Sequence, residues 1–137
     1  MGQAVTTKGT ETDLPDRLRA YLENVAAGGI PVTYAQAART LGLERPHSIQ
    51  RVAKTLEHLM AEDAAASRPF IAALVISRAR HGLPAPGFFD AALRLGRFRS
   101  EPEGVEARAF HRAEFKASLS HYGCADAFTS NKAENID

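Results

Sequence analysis

The chain has 137 residues, of which 45% are hydrophobic and 24% are charged, and a formal net charge of +1. This length suits one domain with its own core, and the single cysteine excludes an internal disulfide framework. The sequence has no signal-peptide pattern and no apolar run long enough to cross a bilayer, so we expect a cytoplasmic protein without membrane contact.

The positive charge is concentrated in the centre of the chain. From Arg39 to Arg99 there are ten Lys or Arg against five Asp or Glu, whereas the residues before and after this region carry net charges of −1 and −3. Such a local excess of +5 indicates a polyanionic partner.

The first eleven residues are polar and lack periodicity, so residues 1–11 are predicted to be a disordered tail. A first helix is predicted from about Asp13, with Pro15 in its first turn, where proline is tolerated. It should end at Gly28 and Gly29. Its apolar stripe at helical spacing comprises Leu14, Leu18, Tyr21, Leu22 and Val25.

The stretch from Ile30 to Met60 predicts two helices joined by a short turn. Thr33 and Gln36 have the spacing of a capping box, which begins a helix over Tyr34 to Leu41. Gly42 suits the left-handed residue that closes such a helix. Pro46 is expected in the first turn of the second helix.

The second helix has one apolar side and one basic and polar side. Five apolar residues share the first side and are expected in the core, with Asp63 in phase with them: Ile49, Val52, Leu56, Leu59 and Met60. The opposite side carries His47, Gln50, Arg51, Lys54 and His58. A recognition helix reads bases with its N-terminal half, which is the basic half here. An ordinary helical hairpin with a solvated polar face is the alternative.

Residues 70–77 are almost wholly apolar, and the sequence FIAALVIS after Pro69 predicts a buried β-strand. The basic turn that follows contains Arg78, Arg80 and His81. A strand and a basic turn after a helix pair resemble a wing that contacts phosphates. A solvated turn is the alternative interpretation of the same residues.

The prolines and glycines of residues 82–87 predict a non-helical path. A helix should then cover Phe88 to Leu95, and a last helix should run from Val105 to Tyr122 and end at Gly123. The predicted fold is α+β and mainly helical. A winged-helix-like helix-turn-helix core with a small β wing occupies residues 12–100, a C-terminal helical extension over residues 101–124 packs on it, and residues 125–137 form a disordered tail.

The segment Val32-Thr33-Tyr34-Ala35-Gln36-Ala37-Ala38, followed by a basic helix and an apolar strand, resembles the DNA-binding domain of O6-alkylguanine alkyltransferases and alkyltransferase-like proteins. The resemblance covers roughly residues 14–83. It implies that Tyr34 matches the tyrosine that acts at the phosphate of the flipped nucleotide. The family's arginine finger falls on Gln50, with Arg51 beside it, and the position of its reactive Pro-Cys-His-Arg-Val segment has no cysteine.

The sequence therefore predicts a small non-enzymatic protein that binds double-stranded DNA as a regulator or accessory factor. The residues expected to contact DNA are Tyr34, Arg45, His47, Gln50, Arg51, Lys54, Arg78 and Arg80. No metal-binding, phosphate-loop or nucleophile pattern occurs, so neither a catalytic residue nor a cofactor is predicted. The alternatives are a protein-interaction module on the same scaffold and, third, a degenerate alkyltransferase-like repair protein. The only thiol, Cys124, lies outside the module.

Overall fold

The computed structural model describes residues 13–100 and 104–123. The predicted tails and Cys124 lie outside these residues. The described chain is mainly helical with a small two-stranded sheet, as the mainly helical α+β prediction requires. Its helices are α1 (Leu14–Gly28), α2 (Tyr34–Thr40), α3 (Ser48–Ala65), α4 (Pro86–Arg94) and α5 (Val105–Ser118). Its strands are β1 (Val32–Thr33) and β2 (Val75–Ile76).

The caps predicted for the first two helices are present. Gly29, in the left-handed conformation (φ 77°), ends α1. At the start of α2 the Gln36 N–H donates to the Thr33 hydroxyl (3.1 Å), and the Thr33 N–H donates to Oε1 of Gln36 (2.8 Å). Gly42 follows α2 with a φ of 74°. These local signals therefore placed the helix boundaries correctly.

The buried side of α3 is the predicted one, except at its N-terminal end. Val52, Leu56, Leu59 and Met60 are all buried. Ile49 was expected in the core, but it is 49% exposed because it faces an open cleft instead of a packed neighbour. The helix also begins later than predicted. Pro46 lies in the turn before it, after a cis peptide bond to Arg45, and left-handed His47 (φ 67°) precedes Ser48.

The buried run after Pro69 forms only a short strand. Phe70 to Val75 are buried as expected, but Ile71–Leu74 is a 3₁₀ helix, and only Val75–Ile76 pairs in a sheet. This strand runs parallel to β1, with Val32 opposite Val75 and Thr33 opposite Ile76. The prediction of one strand over residues 70–77 was therefore wrong for most of its length.

Side chains from elsewhere in the fold bind the backbone of residues 68–73. The Phe70 N–H donates to Glu114 (2.9 Å), and the Ile71 N–H donates to Asp63 (3.0 Å). Four side chains contact the carbonyls of Arg68, Pro69, Phe70 and Ala73, namely those of Arg97, Tyr122, Ser118 and His111. Since buried backbone groups need partners, these side chains replace the neighbouring strand that a sheet would supply.

A tight turn follows β2. Arg78–Arg80 forms a single 3₁₀ turn, and Ser77 and Leu83 form an isolated antiparallel bridge across it, with the Ser77 N–H donating to the Leu83 carbonyl at 2.8 Å. The helix α4 begins at Pro86, two residues before the predicted start. Its residues Phe88 and Phe89 are buried in the core.

The C-terminal helix joins two parts of the core. α5 continues as a π-helix over Leu119–Gly123, packs against residues 71–74 and brings its end onto α1. A Cβ atom on Gly123 would lie 2.6 Å from the carbonyl oxygen of Ala26, so only glycine allows this close approach. Phe110 of α5 packs on Phe98 with 4.9 Å between ring centroids.

Candidate nucleic-acid interface

An open cleft of about 560 Å³ lies between the N-terminal ends of α2 and α3 and the end of β2. We refer to it as the cleft. It is lined by Thr33, Tyr34, Ala35, Gln36, Arg39, Ile49, Gln50, Ala53, Ile76, Ser77, Arg78 and Ala85. Two of these residues are arginines, and no acidic residue of the described chain lines the cleft. Its charge therefore favours an anion over a cation.

Tyr34 is buried beneath the cleft. The residue is 7% exposed, and it also lines a smaller cavity of about 60 Å³ together with Leu56 and Phe88. The Tyr34 hydroxyl accepts a hydrogen bond from the Ala85 N–H at 2.9 Å, which links α2 to the loop before α4. Burial raises the pKa of Tyr34 to about 12, so the phenol keeps its proton at neutral pH. Tyr34 can supply a hydrogen-bonding group but no charge.

The N-terminal half of α3 forms one edge of the cleft. Gln50 and Lys54 are exposed, and Arg51 is half-buried. Arg45 and His47, on the preceding turn, are also exposed. All five predicted residues therefore lie in or directly before the first two turns of α3.

The acidic residues of α3 come later and have partners. Glu57 lies 4.0 Å from Arg94, and Glu62 pairs with Arg19 and His58, each at 3.1 Å. The first turn of α3 has no acidic residue. The partial positive charge of the helix N-terminus is therefore not offset there by a carboxylate.

The two arginines of the turn after β2 differ in their surroundings. Arg78 is exposed at the rim of the cleft. Arg80 is half-buried, and its Nε donates to the Pro84 carbonyl at 2.8 Å. Arg80 therefore holds the loop closed, whereas Arg78 is an exposed residue of the cleft lining.

Of the eight residues predicted to contact DNA, three line the cleft, namely Tyr34, Gln50 and Arg78, and five do not. The other nine lining residues were not predicted as site residues, and two of them, Arg39 and Ile49, matter most for binding. Arg39 lies in the last turn of α2 and is exposed on the rim of the cleft. The signal available in the sequence was a cation close to Gln50 and Arg51 along the predicted helix pair. Ile49 shares the phase of the buried residues of α3, so its sequence position gives no signal of exposure. Only the arrangement of β2 and α2 around it shows that it borders the cleft.

Comparison of the chain with models of known protein families, with curated proteins and with solved structures found no match. No cluster of three or more His, Cys, Asp or Glu that could hold a metal ion occurs in the described part of the chain. Within residues 13–100 and 104–123, none of the helices has both the length and the apolar composition needed to cross a membrane. The function is therefore inferred from the cleft and its rim.

Proposed function

We propose that this protein binds double-stranded DNA through the N-terminal half of α3 and the turn after β2, in the manner of a winged helix. The observation that supports this proposal is a group of exposed cations. Arg39 and Arg78 lie on the rim of the cleft, and Lys54 lies on α3 outside the cleft lining. The carboxylates of Glu57 and Glu62 on α3 pair with Arg94 and Arg19. Phosphate contacts need cations in suitable positions and supply much of the affinity for DNA.

The two elements have different tasks in this proposal. An α-helix fits the major groove, and a recognition helix contacts base edges with residues near its N-terminus. Gln50 and Arg51 lie in this part of α3 and can reach bases or phosphates. The compact turn bearing Arg78 is closed by the Ser77–Leu83 bridge, so it loses little conformational entropy when it contacts the backbone.

The test is a fluorescence anisotropy titration with a labelled duplex over a salt series from about 50 to 200 mM. The double variant Lys54→Ala/Arg78→Ala should bind more weakly than the wild type. The slope of log K against log salt is negative, and it should become less negative by about 0.9 for each phosphate that the variant no longer neutralises. Arg80 is left intact because its hydrogen bond to Pro84 supports the loop. Arg51 is left intact because it is half-buried.

The matched control is Arg99→Ala/Lys116→Ala, which also removes one arginine and one lysine. Both residues are exposed, and they lie neither on α3 nor on the turn after β2, the two elements that the proposal assigns to DNA contact. This variant should keep the wild-type affinity and slope. An unchanged slope in the first variant, or an equally weakened affinity in both, would contradict the assignment of this surface.

One observation favours a protein-interaction module as the second candidate. Ile49 is a large apolar residue that is half exposed, and it lies beside Ala53 and Ile76 in the cleft. Contact through an apolar surface depends weakly on salt, whereas DNA binding weakens steeply as salt rises. The same salt series therefore separates the two candidates.

A further inference from the structure

The cleft has the size and the surface of a site for a small molecule. Its lining is mostly apolar, since α3 contributes Ile49 and Ala53 and β2 contributes Ile76. Ile49 is 49% exposed although its side chain is large and apolar. The volume of about 560 Å³ falls within the range of about 300–1,000 Å³ that is typical of small-molecule sites. A ligand with an apolar body would therefore remove exposed hydrocarbon from water.

Two cations of the cleft are not neutralised by the fold. Arg39 and Arg78 are exposed and both line the cleft. The ion pairs found within residues 13–100 and 104–123 join other arginines and a histidine to the carboxylates, and none of them includes Arg39 or Arg78. Tyr34 adds no negative charge, because burial raises its pKa to about 12. The cleft therefore attracts an anion.

The chemistry of the lining narrows the kind of anion. A guanidinium presents its N–H groups as a planar fork that matches the two oxygens of a carboxylate. The apolar remainder of the cleft disfavours additional charge, because an ion loses hydration there. A single carboxylate on an apolar body satisfies both conditions.

We infer that the cleft binds a small monocarboxylate with an apolar body. Its carboxylate is bound by Arg39 and Arg78, and its body packs on Ile49 and Ile76. Gln50 and Arg78 belong both to the cleft lining and to the surface assigned to DNA, so the ligand and a duplex compete. This competition rests on the proposed function, whereas the ligand site does not.

The first test is isothermal titration calorimetry on the full chain with two probes, 2-naphthoate and decanoate. Three control compounds each lack one required feature: 2-naphthamide has no charge, 2-naphthylmethylammonium has the opposite charge, and acetate has no apolar body. 2-Naphthoate should bind roughly 2- to 25-fold more tightly than 2-naphthamide, as expected for two exposed ion pairs. The ammonium compound should bind more weakly than the amide, and acetate should show no binding.

Variants assign the charge preference to the two arginines. Arg39→Ala/Arg78→Ala should lose the preference for 2-naphthoate and keep the affinity for 2-naphthamide. The matched control Arg99→Ala/Arg112→Ala also removes two exposed arginines, but neither lies on α2, on α3 or on the turn after β2. It should keep the preference.

Ile49→Glu introduces a carboxylate into the cleft lining. This variant should weaken the binding of 2-naphthoate more than that of 2-naphthamide, because only the first compound is repelled. Its melting temperature should not fall, since Ile49 is half exposed and an acidic residue is favourable in the first turn of a helix.

The second test adds 2-naphthoate to the anisotropy titration of the wild type with a labelled duplex. At ten times its dissociation constant, 2-naphthoate should raise the apparent Kd for the duplex by about 11-fold. Acetate at the same concentration controls for ionic strength and should leave the Kd unchanged.

The two tests fail independently. Absence of binding by both probes, equal affinities for 2-naphthoate and 2-naphthamide, or the same loss in both arginine double variants would overturn the ligand site. A wild type that binds the probes as expected but binds no duplex would overturn the proposed function and leave the ligand site in place. Simultaneous binding of 2-naphthoate and the duplex would overturn the competition.

Discussion

Asp63 is a buried carboxylate that joins three parts of the fold. Its side chain is fully buried, and its Oδ1 lies 2.9 Å from Nη2 of Arg19 and 3.0 Å from Nη2 of Arg68. Its Oδ2 accepts the Ile71 N–H at 3.0 Å. The carboxylate therefore binds α1, the loop after α3 and the 3₁₀ helix at once.

The substitution Asp63→Asn should destabilise the protein strongly, although it conserves size and shape. Asparagine has one oxygen and one NH₂ group. If the oxygen faces the guanidinium groups of Arg19 and Arg68, the NH₂ group meets the Ile71 N–H. If the amide is turned, the NH₂ group meets the two cations. Removing one partner from a buried ion pair typically costs about 3–5 kcal/mol, and we expect a destabilisation of that size.

The assay is urea unfolding of the wild type, Asp63→Asn and the control Glu62→Gln. The Glu62 side chain is 44% exposed and pairs with the same Arg19, so its replacement should cost about 0–1 kcal/mol. A shift of the midpoint at constant m-value reports stability directly. A destabilisation by Asp63→Asn no larger than that by Glu62→Gln would refute the argument that this carboxylate is desolvated and fully bonded.

Two further predictions concern the core. Leu56 is 3% exposed on α3, so Leu56→Ala should lower the free energy of unfolding by about 2–5 kcal/mol. An unchanged urea midpoint would show that a different side of α3 faces the core. Burial lowers the pKa of His111, as do Arg108 and Arg112, although its contact with the Ala73 carbonyl raises it. The unfolded state therefore binds more protons, and stability is lost as pH falls from the ordinary histidine pKa through the lowered one. Between about pH 7.5 and 5 the melting temperature of the wild type should fall more than that of His111→Gln, and parallel curves would contradict this.

The extent of α2 and the buried side of α3 could be predicted because their signals are local. The Thr33–Gln36 capping box acts over three residues, and Gly42 closes α2 through its own backbone angle. The apolar phase of Val52 and Leu56 follows from the helical period alone. Each of these features depends on residues close in sequence, so a single sequence contains the information needed to place them.

The path of residues 70–74 could not be predicted in the same way. An apolar run of this length fits a buried strand, and composition does not tell what its backbone will bind. Here Phe70 is bound by Glu114 and Ser118, which lie 44 and 48 residues away. Tyr122, 53 residues from Pro69, donates to the carbonyl of Pro69. Such long-range partners become visible only when α5 is placed on the core.

Of the candidate site, the sequence could predict which residues of α3 are exposed, because the helical period alone determines this. The exposed positions of Gln50 and Lys54 follow from the phase of α3. The roles of Arg78 and Arg80 could not be separated by sequence, since both are arginines in one turn. Only the hydrogen bond of Arg80 to Pro84 shows that one supports the loop while the other borders the cleft.

The C-terminal helix determines the geometry of the cleft although it does not line it. β2 follows the 3₁₀ helix without a break, and Ile76 to Arg78 form one side of the cleft. Side chains of α5 and the π-helix bind the backbone of residues 69–73, so they set the point from which β2 starts. The parallel pairing of β2 with β1 then brings this side next to the start of α2. The shape of the proposed interface therefore depends on hydrogen bonds made by Glu114, Ser118 and Tyr122 to the backbone of Pro69 and Phe70.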